Sequence, residues 1–457
     1  MHPRRRHAAI LLAVALPGAV LATDKVVGDR HAFRSPNGIT ETCVALAKMP
    51  GGVYSVEDLA QEKALCALDI YDTHVAICPK LKSTSPGTFV YELTRGPFTN
   101  DQGGFEAKVC PRGEILVPEA DGPPAGFKVT MNAKGTSGTF ASASLLYYHF
   151  ARYLGASVHV PVSVYRSIDR ATHEQRVTRR GLELSAGKKA LAMNHAAWEA
   201  LDAVEKDPAA YPETDELFTS DRGRIHGVFQ HVRGKRYGPE LNGTRKSGWG
   251  EGQNRDFQET APFLALRSDR PLQEAIAEGL ATAQRDPALK SAMKGGVSKK
   301  QIAYWMQDLT EITLLDYIFS QQDRIGNIDY VTAWLWVEGG RVKQQQAEGN
   351  SPPASIAGRK PLLIKRTWLN DNDAGGEDQV RELYQEDRDA GEAPPLQPRD
   401  LSPAHGPGQG LQGAREALRL CARDLRADGP AARPARDQYA RGGGHPARHL
   451  QGRQPPV

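Results

Sequence analysis

The sequence lacks the features that would hold the chain in a membrane or on nucleic acid. After the first 22 residues it contains no long apolar run. A membrane-spanning helix needs about 20 consecutive apolar residues. No basic stripe with interleaved aromatic residues occurs, so we expect no nucleic acid among the partners. The chain also has no Cys-x-x-Cys pair, which disfavours a zinc site, and no internal repeat.

The beginning of the chain has the pattern of a secretory signal. A basic opening, Met1–His7, precedes an apolar run from Ala8 to Leu21 that is too short for an anchor. The small residue Ala22 fits cleavage directly after it. We therefore predict a signal peptide over residues 1–22 and a soluble mature protein, periplasmic or secreted, with no transmembrane anchor.

Cysteine is scarce, and its distribution is uneven. Four of the five cysteines lie in the first quarter of the chain, namely Cys43, Cys66, Cys78 and Cys110. In an oxidising compartment they predict two disulfides, with three pairings open. We interpret residues 23–112 as a disulfide-pinned N-terminal extension made of short helices and loops.

The composition changes abruptly near the C-terminus. No Lys follows Lys365, and no Ile, Phe or Met follows Ile364. Residues 381–457 are dominated by Arg, Ala, Pro and Gly, cannot bury a core and are predicted to be disordered. Two interpretations are open: a flexible basic tail, or a reading frame that shifted after Gly376. The abruptness of the change favours the second.

Residues 113–240 carry mainly strand patterns. Glu114–Val117 and Phe127–Met131 are predicted to form a hairpin. An amphipathic helix is expected over Leu145–Leu154, with Gly155 ending it.

Residues 241–380 carry mainly helical patterns. A long helix is predicted to begin at Ser298, and its apolar residues recur as far as Phe319. Two strands follow, over Tyr330–Val337 and Pro361–Leu369. With strands first and helices later, the predicted fold class is α+β and bilobal.

An acidic stretch follows the long helix directly. A carboxylate on a loop that a buried helix supports can orient an attacking hydroxyl, and we predict this catalytic role for Asp323. Asn327 lies four residues after Asp323 and is predicted to share a metal site with it.

A second acidic stretch follows the last predicted strand. Asp373 with Gly375 has the Asp-x-Gly form of a kinase metal loop, whereas Asp371 could supply the carboxylate instead. Both are therefore candidate ligands for Mg²⁺ or Mn²⁺. A calcium-binding loop is the alternative, with ligands at Asp371, Asp373, Gly376 and Glu382. Such a loop, however, needs a helix where a strand is predicted.

Two lysines are candidates for binding ATP phosphates. Lys128 is a lone cation in an apolar strand and points away from the apolar side chains beside it. Lys134 is the second candidate. An orienting Asp, a metal-binding Asp with Asn, and a phosphate-binding Lys are what phosphoryl transfer needs, so the leading hypothesis is an ATP-dependent kinase.

The chain resembles the atypical kinases in four places, namely Tyr148–Gly155, Val160-Pro161, Asp323-Arg324 and Asp371-Asn372. It is similar to the secretory-pathway kinases that phosphorylate exported proteins and proteoglycans, and to phosphatidylinositol 3-/4-kinase-like proteins. The similarity extends over residues 113–376.

The resemblance implies a bilobal kinase fold, with an N-lobe over residues 113–240 and a C-lobe over residues 241–380. It implies that Asp323 is the catalytic Asp, Asp371 the metal-binding Asp and Lys128 the nucleotide lysine. The acceptor would be a hydroxyl of a protein, a lipid or a small molecule.

One feature departs from that family. No Glu lies between Glu119 and Glu174, so the helix over Leu145–Leu154 has no glutamate to pair with the nucleotide lysine. One alternative is therefore a non-catalytic secreted pseudokinase, and the loop that begins at Asp371 leaves a calcium-binding protein as the other.

Overall fold

The computed structural model describes six stretches of the chain, namely residues 26–131, 138–211, 214–248, 250–294, 296–321 and 323–374. All of them belong to one compact unit, residues 1–393. The predicted signal peptide, Lys134 and the predicted tail lie outside the described residues.

Eleven strands occur within the described residues. They are β1 (Gly28–Arg34), β2 (Thr40–Leu46), β3 (Val75–Pro79), β4 (Gly87–Glu92), β5 (Ala125–Val129), β6 (Ser163–Asp169), β7 (Arg224–His231), β8 (Lys235–Arg236), β9 (Asp329–Glu338), β10 (Arg341–Gln346) and β11 (Leu362–Trp368).

The same stretches contain fourteen α-helices. They are α1 (Val56–Ala67), α2 (Gln102–Lys108), α3 (Ser142–Tyr153), α4 (Arg170–His173), α5 (Arg179–Ser185), α6 (Ala192–Lys206), α7 (Thr214–Leu217), α8 (Pro239–Asn242), α9 (Glu251–Phe257), α10 (Ala261–Arg267), α11 (Leu272–Ala283), α12 (Pro287–Ala292), α13 (Lys299–Ile318) and α14 (Ala354–Ala357). None of these helices combines the length and apolar character that crossing a membrane requires. The fold is mixed α+β, which confirms the predicted class.

The larger sheet is antiparallel and has seven strands in the order β1-β2-β6-β7-β5-β4-β3. The cysteine-containing segment supplies four of them, β1 to β4. Residues 23–112 are therefore built into the main sheet rather than added outside it. The helix and loop patterns expected there missed these strands, because their pairing partners lie far away in the sequence.

Two disulfides are present, as predicted, and the structure selects one of the three pairings. Cys43 in β2 is bonded to Cys66 in α1, and Cys78 in β3 is bonded to Cys110 just after α2. Each bond therefore ties a strand of the main sheet to a helical segment that packs against it.

The predicted hairpin between Glu114–Val117 and β5 is wrong. Glu114–Val117 is irregular, and the neighbours of β5 in the sheet are β4 and β7. Val117 is buried in a small core with Phe105, whereas Ile115 and Leu116 are exposed. The Tyr91 hydroxyl also donates a 2.8 Å hydrogen bond to the Glu114 carbonyl. A short apolar run does not by itself specify a strand.

The second sheet contains β8, β9, β10 and β11, and β9 pairs with the other three. α13 is fastened to β11, because Gln301 exchanges hydrogen bonds of 2.9 and 2.8 Å with the backbone of Lys365. The two segments that follow α13 and β11 also meet, since Gln321 Nε2 donates to the Asp371 carbonyl at 3.1 Å. These are the two acidic stretches of the sequence.

Candidate functional site

Lys128 lies in β5 and reaches the acidic segment after β11. Phe127 and Val129 are buried in the main core, so the alternation along the strand turns Lys128 to the other face. Its Nζ lies 2.8 Å from Asp373 Oδ1 and 3.3 Å from Asp371 Oδ1. The Lys128 side chain is only 10% exposed, and a buried ammonium requires such partners.

The segment after β11 is held by contacts with three parts of the chain. Asn370 Nδ2 donates to Asp329 Oδ2 at 2.8 Å, and the Asn370 carbonyl accepts from Gln230 Nε2 at 3.1 Å. The Phe140 amide, just before α3, donates to the Asp373 carbonyl at 2.7 Å. These hydrogen bonds fix the backbone that carries the carboxylates of Asp371 and Asp373.

Arg324 connects the two acidic segments. It is buried, and its Nε and Nη2 donate to the Asp316 carboxylate at 2.9 and 3.0 Å. Its Nη1 donates to the Asp371 carbonyl and its Nη2 to Asn372 Oδ1, both at 2.7 Å. The Tyr147 hydroxyl donates to Asp316 Oδ1 at 2.8 Å, so α3 belongs to the same network.

Arg236, in β8, contacts oxygen atoms from both acidic segments. Its Nε lies 2.9 Å from Asp329 Oδ1, and its Nη2 donates to Asp371 Oδ2 at 3.0 Å. Its Nη1 donates to the Gly326 carbonyl at 2.7 Å and also to Asn327 Oδ1. Three side-chain oxygen atoms therefore converge on one guanidinium.

Asp323 lies at the edge of the same cluster with its side chain exposed. Its carbonyl accepts from Asn327 Nδ2 at 2.7 Å. Its amide donates to Gln321 Oε1 at 3.3 Å, and Gln321 Nε2 donates to the Asp371 carbonyl at 3.1 Å. Partial desolvation and the negative charge of Asp371 both raise the pKa of Asp323. The two carboxylates are therefore close enough for the charge of Asp371 to act on Asp323.

Lys80 is a second lysine at this site, and sequence analysis assigned it no role. It directly follows β3, and its amide donates to the Gly87 carbonyl at 2.8 Å. Gly87 pairs with Lys128 across the sheet. Burial and the positive charge of Lys128 lower the pKa of Lys80, although Asp371 and Asp373 oppose this effect. Lys80 therefore lies on the part of the sheet that carries Lys128, within electrostatic range of the acidic loop.

The charges of the cluster stabilise one another. Burial opposes ionisation of Asp371, but the positive charges of Lys128, Lys80 and Arg236 outweigh it and hold the pKa of this carboxyl below its usual range. Against the effect of burial, Asp373 and Asp371 raise the pKa of Lys128. Asp371 and Lys128 are therefore both ionised at neutral pH.

The cluster around the acidic loops contains groups that suit a polyphosphate. Lys80 and Lys128 supply ammonium groups, and charge-assisted hydrogen bonds to phosphate oxygens are strong. Asn370 Oδ1 is buried and meets no hydrogen-bond donor among the described residues. This acceptor suits a cation or a hydrogen-bond donor of a ligand rather than a phosphate oxygen.

The same residues fit a hard divalent cation by chemical type. The carboxylates of Asp371 and Asp373 and the amide oxygen of Asn327 are ligands that Mg²⁺ and Mn²⁺ prefer. Within the described residues no group of three or more His, Cys, Asp or Glu is arranged to hold a metal ion. The metal assignment of Asn327, Asp371 and Asp373 stays a prediction.

The calcium-loop alternative has little support at this position. The residues before Asp371 form the strand β11, where a calcium loop of that type needs a helix. Gly376 and Glu382, which would complete the loop, lie outside the described residues.

The structure brings together five residues that the sequence singled out, namely Lys128, Asp323, Asn327, Asp371 and Asp373. Lys134 lies outside the described residues. Lys80 and Arg236 were missed, since Lys80 follows a strand that was not predicted. Arg236 lies in the polar, Gly-rich stretch of residues 233–254, whose composition indicates a hinge between the lobes or a flexible loop. Only the pairing of β8 with β9 shows where Arg236 belongs.

No protein-family model, curated protein or solved structure matches this chain.

Proposed function

We propose that this protein is an exported ATP-dependent phosphotransferase related to the atypical kinases, which transfers the γ-phosphate to a hydroxyl of a protein, a lipid or a small molecule. The observation that carries the proposal is the meeting of Lys128 with Asp371 and Asp373, at 3.3 and 2.8 Å. A phosphate-binding lysine beside a metal-binding aspartate is the central arrangement of kinase sites.

Each residue has a role that follows from its chemistry. Lys128 and Lys80 bind phosphate oxygens through their ammonium groups. Asp323 orients the acceptor hydroxyl, and its raised pKa suits a group that accepts a proton. If Mg²⁺ or Mn²⁺ is bound, Asp371 or Asp373 with Asn327 would hold it, and it would supply positive charge to the phosphates.

The order of elements supports a bilobal kinase arrangement. The hairpin β3–β4 precedes β5, which carries Lys128, and α3, β6 and β7 follow. In kinases the lysine also lies on a strand beside a hairpin whose loop covers the phosphates. In this proposal the N-lobe, assigned above to residues 113–240, includes β3 and β4 as well.

The two disulfides support export. Disulfides form and persist in oxidising compartments, such as the periplasm, the secretory pathway and the extracellular space. We therefore propose a periplasmic or secreted location, in agreement with the predicted signal peptide.

A non-catalytic nucleotide-binding protein is the second candidate. α3 contains no glutamate, and Lys128 is paired with the aspartates of the loop after β11 instead. Active kinases need the lysine–glutamate pair for a competent site. Both candidates bind ATP, and only the first transfers phosphate.

The test measures ATP binding and phosphate transfer separately. ATP with Mn²⁺ should stabilise the folded protein by about 2.7 kcal/mol when ATP is present at about 100 times its Kd. Thermal unfolding measures this gain, and release of labelled phosphate to water or an added acceptor measures transfer. Binding without transfer would favour the pseudokinase, and no ATP-dependent stabilisation would refute both candidates.

Lys128→Met is the informative variant, because it removes the ammonium and keeps the length of the side chain. It should lose the stabilisation by ATP. Lys48→Met is the matched control, since Lys48 is paired with the buried Glu62 away from the acidic loops. The control should respond to ATP like the wild-type protein.

A further inference from the structure

The Arg236 guanidinium is surrounded by oxygen atoms of the kinds that coordinate a hard metal ion. Its guanidinium contacts the Gly326 carbonyl and one side-chain oxygen each of Asn327, Asp329 and Asp371. These four contacts use four of the five N–H donors of the guanidinium. Two of the oxygen atoms, from Asn327 and Asp371, are those that the proposed function assigns to a metal.

The backbone fixes Arg236 at this position. In the ladder between β8 and β9, Arg236 pairs with Asp329. The preceding turn needs Gly234, whose φ is +95° and whose missing Cβ would lie 3.1 Å from the Tyr330 carbonyl. The Tyr237 amide then donates to the Ile328 carbonyl at 3.1 Å. The turn at Gly234 before Arg236 and the hydrogen bond of Tyr237 after it therefore direct the Arg236 side chain toward the acidic groups.

We propose that Arg236 takes the place of the divalent cation that would lie between Asn327 and Asp371, so that nucleotide polyphosphates bind here with little dependence on divalent metal. The inference rests on the proposed function for the identity of the ligand. Its metal component, competition between Arg236 and a divalent cation, does not depend on nucleotide.

The charges around Arg236 favour the replacement of the divalent cation by the guanidinium. Lys80, Lys128 and Arg236 face the carboxylates of Asp371 and Asp373, with Asp323 and Asp329 at the edge of the group. A divalent cation that entered between Asn327 and Asp371 would meet the guanidinium at contact distance. The repulsion between like charges a few ångströms apart is large in a partly desolvated site. Phosphate oxygens, in contrast, can accept hydrogen bonds from the guanidinium and the ammonium groups.

The first experiment measures metal binding without nucleotide. Isothermal titration with Mn²⁺ should give at least a ~10-fold lower Kd for Arg236→Met than for the wild-type protein, because one neighbouring positive charge is removed. Arg359→Met is the matched control: both arginine side chains are 42% exposed and ion-paired, and Arg359 contacts Glu338 at the other end of β9. The control should bind Mn²⁺ like the wild-type protein. Equal Mn²⁺ affinity in Arg236→Met and wild-type protein overturns the inference.

The second experiment uses the wild-type protein, so it does not depend on a variant that folds. The Kd for ATP in EDTA should lie within ~3-fold of the Kd with Mn²⁺, a small difference in binding free energy. Loss of ATP binding in EDTA together with recovery in Mn²⁺ overturns the inference and leaves the proposed function standing. Absence of ATP binding in both buffers refutes the proposed function, and the Mn²⁺ titration then decides the role of Arg236.

Arg236→Lys separates charge from shape. It keeps the positive charge but has three donors on a point-like ammonium instead of a planar fork. It should bind Mn²⁺ as weakly as the wild-type protein while its ATP affinity in EDTA falls. Mn²⁺ affinity that rises to the level of Arg236→Met would contradict a role for the charge and overturn the inference.

Discussion

At the residue scale, the exposed and the ion-paired carboxylates of the cluster have different roles in the proposed reaction. Asp371 and Asp373 are engaged by Lys128, whereas Asp323 has an exposed side chain and a raised pKa. A carboxylate with solvent access and an increased affinity for a proton can meet an incoming hydroxyl. A carboxylate that is already ion-paired with an ammonium is less able to accept a proton from that hydroxyl.

Asp323→Asn tests that division. It should abolish phosphate transfer, because the amide cannot accept the hydroxyl proton, and it should leave ATP affinity within about 3-fold of wild type. Transfer is measured with labelled ATP and binding by thermal unfolding. Asp269→Asn, an exposed position outside the cleft, should change neither quantity. Undiminished transfer by Asp323→Asn would remove Asp323 from the mechanism.

At the element scale, the position of Lys128 depends on how closely β7 and β5 approach. Gly227 in β7 pairs with Val129, and a Cβ at Gly227 would lie 1.9 Å from the Lys128 carbonyl. Only glycine allows the two backbones to stay at this distance. The sheet therefore places a glycine beside the residue that carries the proposed phosphate contact.

Gly227→Ala should displace β5 and with it the Lys128 backbone. We expect a loss of about 1–3 kcal/mol in the free energy of unfolding, the usual cost of overpacking, together with weaker ATP binding. Urea unfolding and ATP titration measure the two effects. Gly358→Ala is the control, since a Cβ there meets no heavy atom within 4 Å. An unchanged free energy of unfolding in Gly227→Ala would contradict the close approach of the strands.

At the scale of the whole molecule, the two disulfides differ in their distance from the proposed site. Cys78–Cys110 anchors β3, and Lys80 follows the end of that strand. Cys43–Cys66 joins β2 to α1, and β6 and β7 separate β2 from β5 in the sheet. Their sequence separations, 32 and 23 residues, are similar, so the loop-closure effect on the unfolded chain is similar too.

Replacing either cysteine pair by serine should therefore lower the free energy of unfolding by a similar amount, about 2–5 kcal/mol. Only the change at Cys78 and Cys110 should also weaken ATP binding, because it releases the strand that leads to Lys80. The variant at Cys43 and Cys66 is the matched control. An equal loss of ATP affinity in both variants would show that overall stability, and not the position of Lys80, is responsible.

The stability of the molecule should fall on mild acidification. Burial, with the positive charges of Lys48 and Arg152, lowers the pKa of His149 from 6.5 to about 4. Below pH 6.5 the unfolded chain takes up a proton at this histidine that the folded protein does not accept. The stabilisation is therefore complete above pH 6.5 and is lost as the pH falls toward 4.

His149→Gln tests the pH dependence. The variant should lose less stability than the wild-type protein between pH 6.5 and pH 4, by on the order of 3 kcal/mol. Urea unfolding at several pH values gives the difference. His31→Gln, at an exposed position, should follow the wild-type curve. Parallel curves for wild type and His149→Gln would show that His149 is not the group that titrates.

Elements with a strong local signal could be predicted from the sequence. α13 begins after Ser298, whose hydroxyl accepts from the Gln301 amide at 3.1 Å, and its apolar residues recur at helical spacing. β7, β9 and β11 have apolar or β-branched sequences. α3 ends at Tyr153, and Gly155 adopts the left-handed backbone that favours glycine. Capping and periodicity act over a few residues, so they can be read along the chain.

Composition and local pattern were sufficient to predict the α+β class, the presence of two disulfides and the residue types of the candidate site. Long-range packing was needed to show which cysteines pair and that β3 and β4 continue the sheet beside Lys128. It alone brought Lys80 and Arg236 to the acidic loops. Such contacts join residues far apart in the chain, and packing and strand register set them rather than neighbouring sequence.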